Sequence, residues 1–183
     1  MMYPSKKKIR NHMIRLRKKS YVLDEMAPWK AATNFFIKYK SNFKKIAAYW
    51  PMAYELDTRP LIKILLENNI NIMLPVISED NLKFIKWENA DKLNYNKLRF
   101  YEPSSCNNSL EPDLIIVPLL AYDNLGYRLG YGKGFYDKYY EKNKRKIYVG
   151  YCYSFQNIDH LPSKSYDLKL NSVITETKTK IFN

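Results

Sequence analysis

Apolar residues return at helical intervals at the start of the chain. Ile9, Met13 and Leu16 follow Ser5, with Lys6, Arg10 and Arg17 left to other faces, a pattern that predicts an amphipathic helix capped by Ser5. Pro28 suits the first turn of a second helix, where its missing N–H costs nothing, and Trp29, Ala32, Phe36 and Tyr39 then form an apolar stripe read as core packing. The period then shortens. KIAAYWP, closed by Pro51, reads as a buried strand, and Asp57 or Thr58 caps a helix carrying Leu61, Ile64 and Leu65 that ends near Asn68 and Asn69. INIMLPVI and LKFIKW are two further strands, and the polar, aperiodic stretch from Glu88 to Pro112 is a loop region with short elements. DLIIVPLL, from Asp113 to Leu120, is the most strand-like run. A helix from about Gly134 to Asn143 precedes the strand KIYVGYCY, and NSVITET is the last strand. Strands alternating with helices predict an α/β fold in which residues 1–183 form one domain, three layers (α/β/α) around a mostly parallel sheet.

Ligands of such sheets gather beyond the carboxyl ends of the strands. RLGYGKGFYDKYY, from Arg128 to Tyr140, follows DLIIVPLL and places glycines at 130, 132 and 134. Glycine reaches the positive-φ conformations that let successive N–H groups converge on an anion, and the helix that follows adds its own unpaired N–H groups. The loop is not a Walker A motif, because Gly134 and Phe135 follow Lys133 where that motif needs Ser or Thr. Spacing alone fits an anion loop or a tight structural turn equally. Arg128 and Lys133 favour the anion, since two crowded cations call for a negative partner. Asp137, one turn into the helix, suits either Mg²⁺ or complementation of the helix dipole.

Composition narrows the classes. With 46% hydrophobic and 27% charged residues the chain is globular, and no apolar run is long enough to cross a bilayer. Cys106 and Cys152 match no metal or redox spacing, and the expected setting is the cytoplasm. His12 and His160 are the only histidines, which leaves little for a histidine metal site, and no G-x-S-x-G elbow is present. The net charge is +13, and 13 Lys and Arg against two acids fall in the first 45 residues. Such a field draws polyanions, including nucleic acid and anionic membranes, or is simply a solvated face in a chain biased toward Lys, Asn, Ile and Tyr.

PLLAYDNLGYRLGYGKGFYDKYY resembles the proline, aspartate, glycine, R-L-G-x-G-x-G-[YF]-Y-D signature of the 5-formyltetrahydrofolate cyclo-ligase family. KKKIR near the start, AYWPMAYELDT, and SYDLKLNSVITE near the end are similar to its weaker segments, in the same order. The resemblance implies ATP- and Mg²⁺-dependent cyclisation of 5-formyltetrahydrofolate to 5,10-methenyltetrahydrofolate. Lys6 and Arg10 match the family's ATP-contacting K-x-x-x-R. Arg128, Leu129, Gly130, Tyr131, Gly132, Lys133, Gly134, Phe135 and Tyr136 match the stretch that wraps the triphosphate, and Tyr131 to Phe135 also face folate. Arg128 and Lys133 are the expected catalytic cations, Asp137 and Asp167 the magnesium ligands, and Trp50 and Glu55 the folate contacts. Phe135 stands where the family often has Tyr, and Asn171 where bacterial members commonly have Asp. The implied partners are ATP and a polyglutamylated folate, with no nucleic acid and no membrane, for a monomer. Two rivals are a nucleic-acid-binding module, motivated by the basic N-terminus and many tyrosines, and a sugar-phosphate or acyl-transfer enzyme on a related scaffold.

Overall fold

A computed structural model describes residues 4–21, 23–39, 42–104 and 109–182; Cys106 lies outside this set. Helix α1 spans Lys6–Ser20, with the Ser5 hydroxyl accepting from the Lys8 N–H as its cap, and α2 spans Ala27–Tyr39. Strand β1 (Lys45–Ala47) leads into α3 (Arg59–Glu67), then the hairpin of β2 (Asn71–Ser78) and β3 (Asn81–Lys86). Short strands β4 (Leu93–Tyr95) and β5 (Tyr101–Pro103) pair within the polar stretch. After β6 (Leu114–Val117), β7 (Ala121–Tyr122) and β8 (Arg128–Leu129) form a small ribbon, followed by α4 (Phe135–Lys142). Then come β9 (Ile147–Tyr151), β10 (Ser172–Ile174) and β11 (Thr179–Ile181).

Seven strands form one sheet in the order β11, β10, β9, β6, β1, β2, β3, parallel throughout except for the antiparallel edge pairs β10/β11 and β2/β3. Successive side chains of a strand point to opposite faces, and here both faces are apolar. Ile46, Ile72, Leu74, Leu114, Ile116 and Val149 pack under α2 and α3. Ala47, Met73, Ile115, Val117 and Val173 face the other way, where Phe135, Tyr136, Tyr139 and Tyr140 of α4 cover them. This is the predicted three-layer α/β/α arrangement. Helix α1 stands apart from both layers, setting Ile9 and Met13 against Leu120, Ala121, Leu129 and Leu161 beyond the sheet.

Three local expectations are revised. On α2 the inward residues are Ala27, Ala31, Ala32, Phe35 and Tyr39, whereas Trp29 is 42% exposed and Phe36 only partly buried. Alanines let the helix lie close to the sheet, so the bulkier neighbours turn away. Thr58 holds the cap position of α3 without capping it; its hydroxyl donates to the Tyr49 carbonyl at 2.6 Å, and the Asp57 carboxylate takes the Arg59 N–H at 2.8 Å. NSVITET is followed by one more strand, β11, which lies at the sheet edge and is partly exposed.

Phe35 is fully buried in the α2 layer. Phe35→Ala is expected to cost about 3–5 kcal/mol of unfolding free energy, seen as a lower urea midpoint at unchanged slope.

Candidate active site

The carboxyl ends of β1, β2 and β6 open onto a cavity of about 820 Å³, lined by Tyr49 and Trp50 after β1, by Pro75 and Ile77 of β2, and by Pro118 after β6. This is where an α/β sheet is expected to hold a ligand. The structure brings every sequence-derived site residue to its wall: Lys6, Arg10, Trp50, Glu55, the stretch from Arg128 to Asp137, and Asp167.

The glycine loop reaches the cavity through the β7–β8 ribbon, which the sequence pattern did not reveal. Buried Asp123 builds its turn: one carboxylate oxygen accepts from the Leu125 and Tyr127 N–H groups at 3.0 and 2.9 Å, and the other takes the Leu161 N–H at 3.2 Å. The chain then enters Gly132 at φ 99° and Gly134 at φ 74°, both in the left-handed region that disfavours side chains. A Cβ on Gly132 would lie 3.2 Å from Cζ of Arg10, whereas one on Gly134 would meet nothing within 4 Å. Gly134 precedes α4 with no side-chain cap, so the first N–H groups of that helix lack intrahelical partners beside the cavity.

Positive charge surrounds the loop. Arg128 is only 9% exposed and meets one carboxylate oxygen, Oδ1 of Asp137, at 3.2 Å. Its guanidinium also lies over the Tyr136 ring, 5.8 Å from the centroid, and its Nε has no partner among the described residues. Burial lowers the Arg128 pKa, opposed by Asp137, Tyr136 and Asp167. The Arg10 Nε–H donates to the Gly130 carbonyl at 2.8 Å, and the Lys6 ammonium pairs with Oδ2 of Asp167 at 2.7 Å. Lys133 lines the cavity with no hydrogen-bond or ionic partner among the described residues. An arginine taken from water with a donor to spare and an unpaired lysine beside it form a site built for an added anion.

The two candidate metal ligands can be tested against their surroundings. Asp137 uses Oδ1 for Arg128 and for the Leu168 N–H, and Asp167 uses Oδ2 for Lys6 and for the Lys164 N–H. In each, the other oxygen has no protein partner among the described residues. Those residues contain no cluster of three or more His, Cys, Asp or Glu side chains fit for an all-protein metal site. Two carboxylates with spare oxygens suit Mg²⁺, which commonly takes one or two carboxylates and completes its shell with water and phosphate. Asn171 plays no part here: its side-chain oxygen accepts the Tyr148 N–H at 2.8 Å and ties β9 to the start of β10.

At the other end, the Trp50 ring meets Trp87 edge-on at 5.6 Å between centroids and offers a flat wall to the cavity. Glu55 is 7% exposed, and its carboxylate accepts the Met52 N–H at 2.8 Å on Oε2 and the Tyr131 hydroxyl at 2.7 Å on Oε1. The Tyr131 oxygen in turn accepts a short hydrogen bond from Nη2 of Arg17, and Nη1 of Arg17 lies 3.8 Å from Oε1 of Glu55. Burial pushes the Glu55 carboxyl up, while Arg17, the Met52 N–H and Tyr131 draw it back. Sequence reasoning left Arg17 to a face other than the apolar stripe and gave it no role. The stripe formed by Lys6, Arg10, Met13 and Arg17 was the available signal, because residues three and four apart on a helix share a face.

Comparison with known proteins identifies the family to which this sequence and fold are similar. The model of the 5-formyltetrahydrofolate cyclo-ligase family matches residues 2–176. The Escherichia coli K12 5-formyltetrahydrofolate cyclo-ligase is 34% identical over 142 residues, covering 73% of this chain and 78% of that one. The Haemophilus influenzae 5-formyltetrahydrofolate cyclo-ligase is 34% identical over 140 residues, covering 72% and 75%. The NMR structure of Aquifex aeolicus 5,10-methenyltetrahydrofolate synthetase superimposes with a TM-score of 0.83 at 26% identity, covering 97% of this chain and 93% of that one.

The two positive-φ glycines predict different penalties. Gly134→Ala should cost about 1 kcal/mol, from backbone strain alone. Gly132→Ala should cost more than that, since its φ of 99° lies farther from the left-handed minimum near about 57° and its methyl group also presses on the Arg10 guanidinium. Chemical denaturation of the two variants ranks them, and the opposite order would contradict the loop geometry.

Proposed function

The chain belongs to the 5-formyltetrahydrofolate cyclo-ligase family and is an enzyme of that family; from this premise we propose that its cavity binds Mg-ATP at the glycine loop and 5-formyltetrahydrofolate against Trp50 and Glu55. The observation that carries this reading is that one cavity joins two unlike ends. One end has glycine backbone, Arg128 and Lys133, suited to phosphate; the other has an indole wall and a fixed carboxylate, suited to a flat ring bearing N–H donors.

The chemistry follows from what must leave. In 5-formyltetrahydrofolate the formyl carbon is an amide carbon, and closure by N10 has to expel its oxygen. The formyl oxygen attacks the γ-phosphorus of ATP, an O–P bond forms, and the bond to the bridging oxygen breaks to release ADP. N10 then adds to the activated carbon and loses its proton, and the C–O bond breaks with the oxygen departing in inorganic phosphate. The product is 5,10-methenyltetrahydrofolate.

No covalent nucleophile on the protein is needed, only alignment and stabilisation of the charge on the transferring group. Arg128 and Lys133 face that charge, the Gly130–Gly134 amides and the start of α4 receive phosphate oxygens, and Lys6 and Arg10 steady the nucleotide. Asp137 and Asp167 would hold Mg²⁺, which supplies further charge neutralisation on the phosphates. Glu55 accepts from the pterin, and Tyr131 to Phe135 close the space between the two substrates. The Phe135 side chain has no hydroxyl, so it contributes apolar surface and no hydrogen bond.

Three basic residues of α1, namely Lys6, Arg10 and Arg17, engage groups at this site. That favours small anionic partners, ATP and a polyglutamylated folate, over a polynucleotide. We place the enzyme in the cytoplasm as a monomer; no helix among the described residues is long and apolar enough to cross a membrane.

Purified protein with 5-formyltetrahydrofolate and Mg-ATP should generate methenyl absorbance, and chelation of the metal should abolish it. Lys133→Ala should keep folate binding and lose roughly a hundredfold in turnover, the usual penalty for one preorganised donor. Near-normal turnover of this variant would remove Lys133 from the mechanism.

A further inference from the structure

We propose that Arg17 is a positioning residue for folate recognition: through the Tyr131 hydroxyl and its own charge it fixes Glu55 as an oriented carboxylate with one free acceptor site on each oxygen. The inference rests on Glu55 being the pterin contact.

The geometry supports it from three sides. Arg17 is 3% exposed, and its Nη2 donates to the Tyr131 oxygen, which orients the phenolic hydrogen toward Oε1 of Glu55. With Oε2 held by the Met52 N–H, each carboxylate oxygen has spent one lone pair on protein and keeps one for a ligand. A pair of adjacent N–H donors on a flat heterocycle matches that arrangement. The Arg17 guanidinium also lies over the Tyr131 ring, 5.5 Å from its centroid, which fixes the ring and not only the hydroxyl.

The charge is as important as the direction. Glu55 is buried with no second cation paired to it among the described residues, and burial alone would drive it toward the neutral acid. A protonated Glu55 would present a donor where the pterin also donates. The titratable groups around Glu55 are Arg17 from α1, Tyr131 from the glycine loop, Tyr49 after β1 and Tyr136 from α4. Burial raises all three tyrosines, so they remain neutral, and Arg17 is the cation left to hold the carboxylate ionised. Burial also opposes the charge on Arg17, but Tyr131 and Glu55 outweigh it.

The test compares Arg17→Met and Arg17→Lys, each alone and combined with Glu55→Gln, for KM and kcat across mildly acidic to mildly alkaline pH. Arg17→Met should raise KM for 5-formyltetrahydrofolate about ten- to hundredfold, the range for losing a hydrogen bond to a charged group. KM for ATP and kcat at saturating folate should move by less than about threefold, and the acid limb of the folate KM profile should shift to higher pH. In the Glu55→Gln background Arg17→Met should add less than about threefold, because the two act as one unit. Carboxyl-carbon NMR without substrate, assigned by Glu55→Gln, should show the Glu55 midpoint rising by at least about one unit in Arg17→Met. If Arg17→Met does not fold, Arg17→Lys carries the test, keeping the charge without the fork and giving a smaller KM rise with a Glu55 midpoint near wild type. An active wild type with an unchanged folate KM in the variants, fully multiplying effects of Arg17 and Glu55, or an unmoved Glu55 midpoint would each overturn the role of Arg17. A wild type inert toward 5-formyltetrahydrofolate would instead overturn the reading beneath it.

Discussion

A charged side chain removed from water must find a partner, and this constraint organises the molecule at both ends of its cavity. At one end Arg128 is buried against a single carboxylate oxygen, with Nε unpaired among the described residues. At the other, Glu55 is buried with one arginine near it, 3.8 Å away. The sheet sets the two ends apart on the carboxyl termini of its parallel strands, and the loops between them place ligand-sized space in the gap. Neither charge would be retained for stability alone, because a buried ion is a net expense unless its remaining bonds are made. Each keeps bonding capacity that an added ligand can use.

Helix α1 connects the two ends. Its inward stripe runs from Lys6 on Asp167, through Arg10 on the Gly130 carbonyl, to Arg17 beside Tyr131 and Glu55. Eleven residues of helix rise about 16 Å, enough to lie alongside both ends of the cavity. The same helix rests Ile9 and Met13 on the ribbon that carries the glycine loop. Packing and charge placement are therefore one event: a shift of α1 would move the cations at both ends together.

Much of this was legible beforehand. The parallel strands are buried on both faces, so INIMLPVI, DLIIVPLL and KIYVGYCY are recognisable as continuous apolar runs, and Ser5 marks the start of α1 by its hydroxyl. The glycine spacing and its cations singled out the loop, and the residues matched by family resemblance converge on one cavity. What escaped had little local signal. Strands β7 and β8 are two residues each, too short to show a period, and are held by the buried Asp123 carboxylate. The inward face of α2 is marked by alanines, which a search for large apolar residues passes over. Arg17 looked like one more surface cation in a basic segment, and only its distant contacts with Tyr131 and Glu55, 114 positions away in one case, show that it is buried. Its position seven residues after Arg10 hinted at the shared face without naming a partner.

The most direct measurement is a crystal structure of the ternary complex with a non-hydrolysable Mg-ATP analogue and 5-formyltetrahydrofolate. The account predicts the γ-phosphate between Arg128 and the Gly130–Gly134 backbone, the formyl oxygen within about 3.5 Å of it as a near-attack geometry requires, and the pterin against Trp50 with its N–H groups on Glu55. A triphosphate seated elsewhere, for instance along the exposed lysines of α1, or a pterin turned away from Glu55, would contradict it.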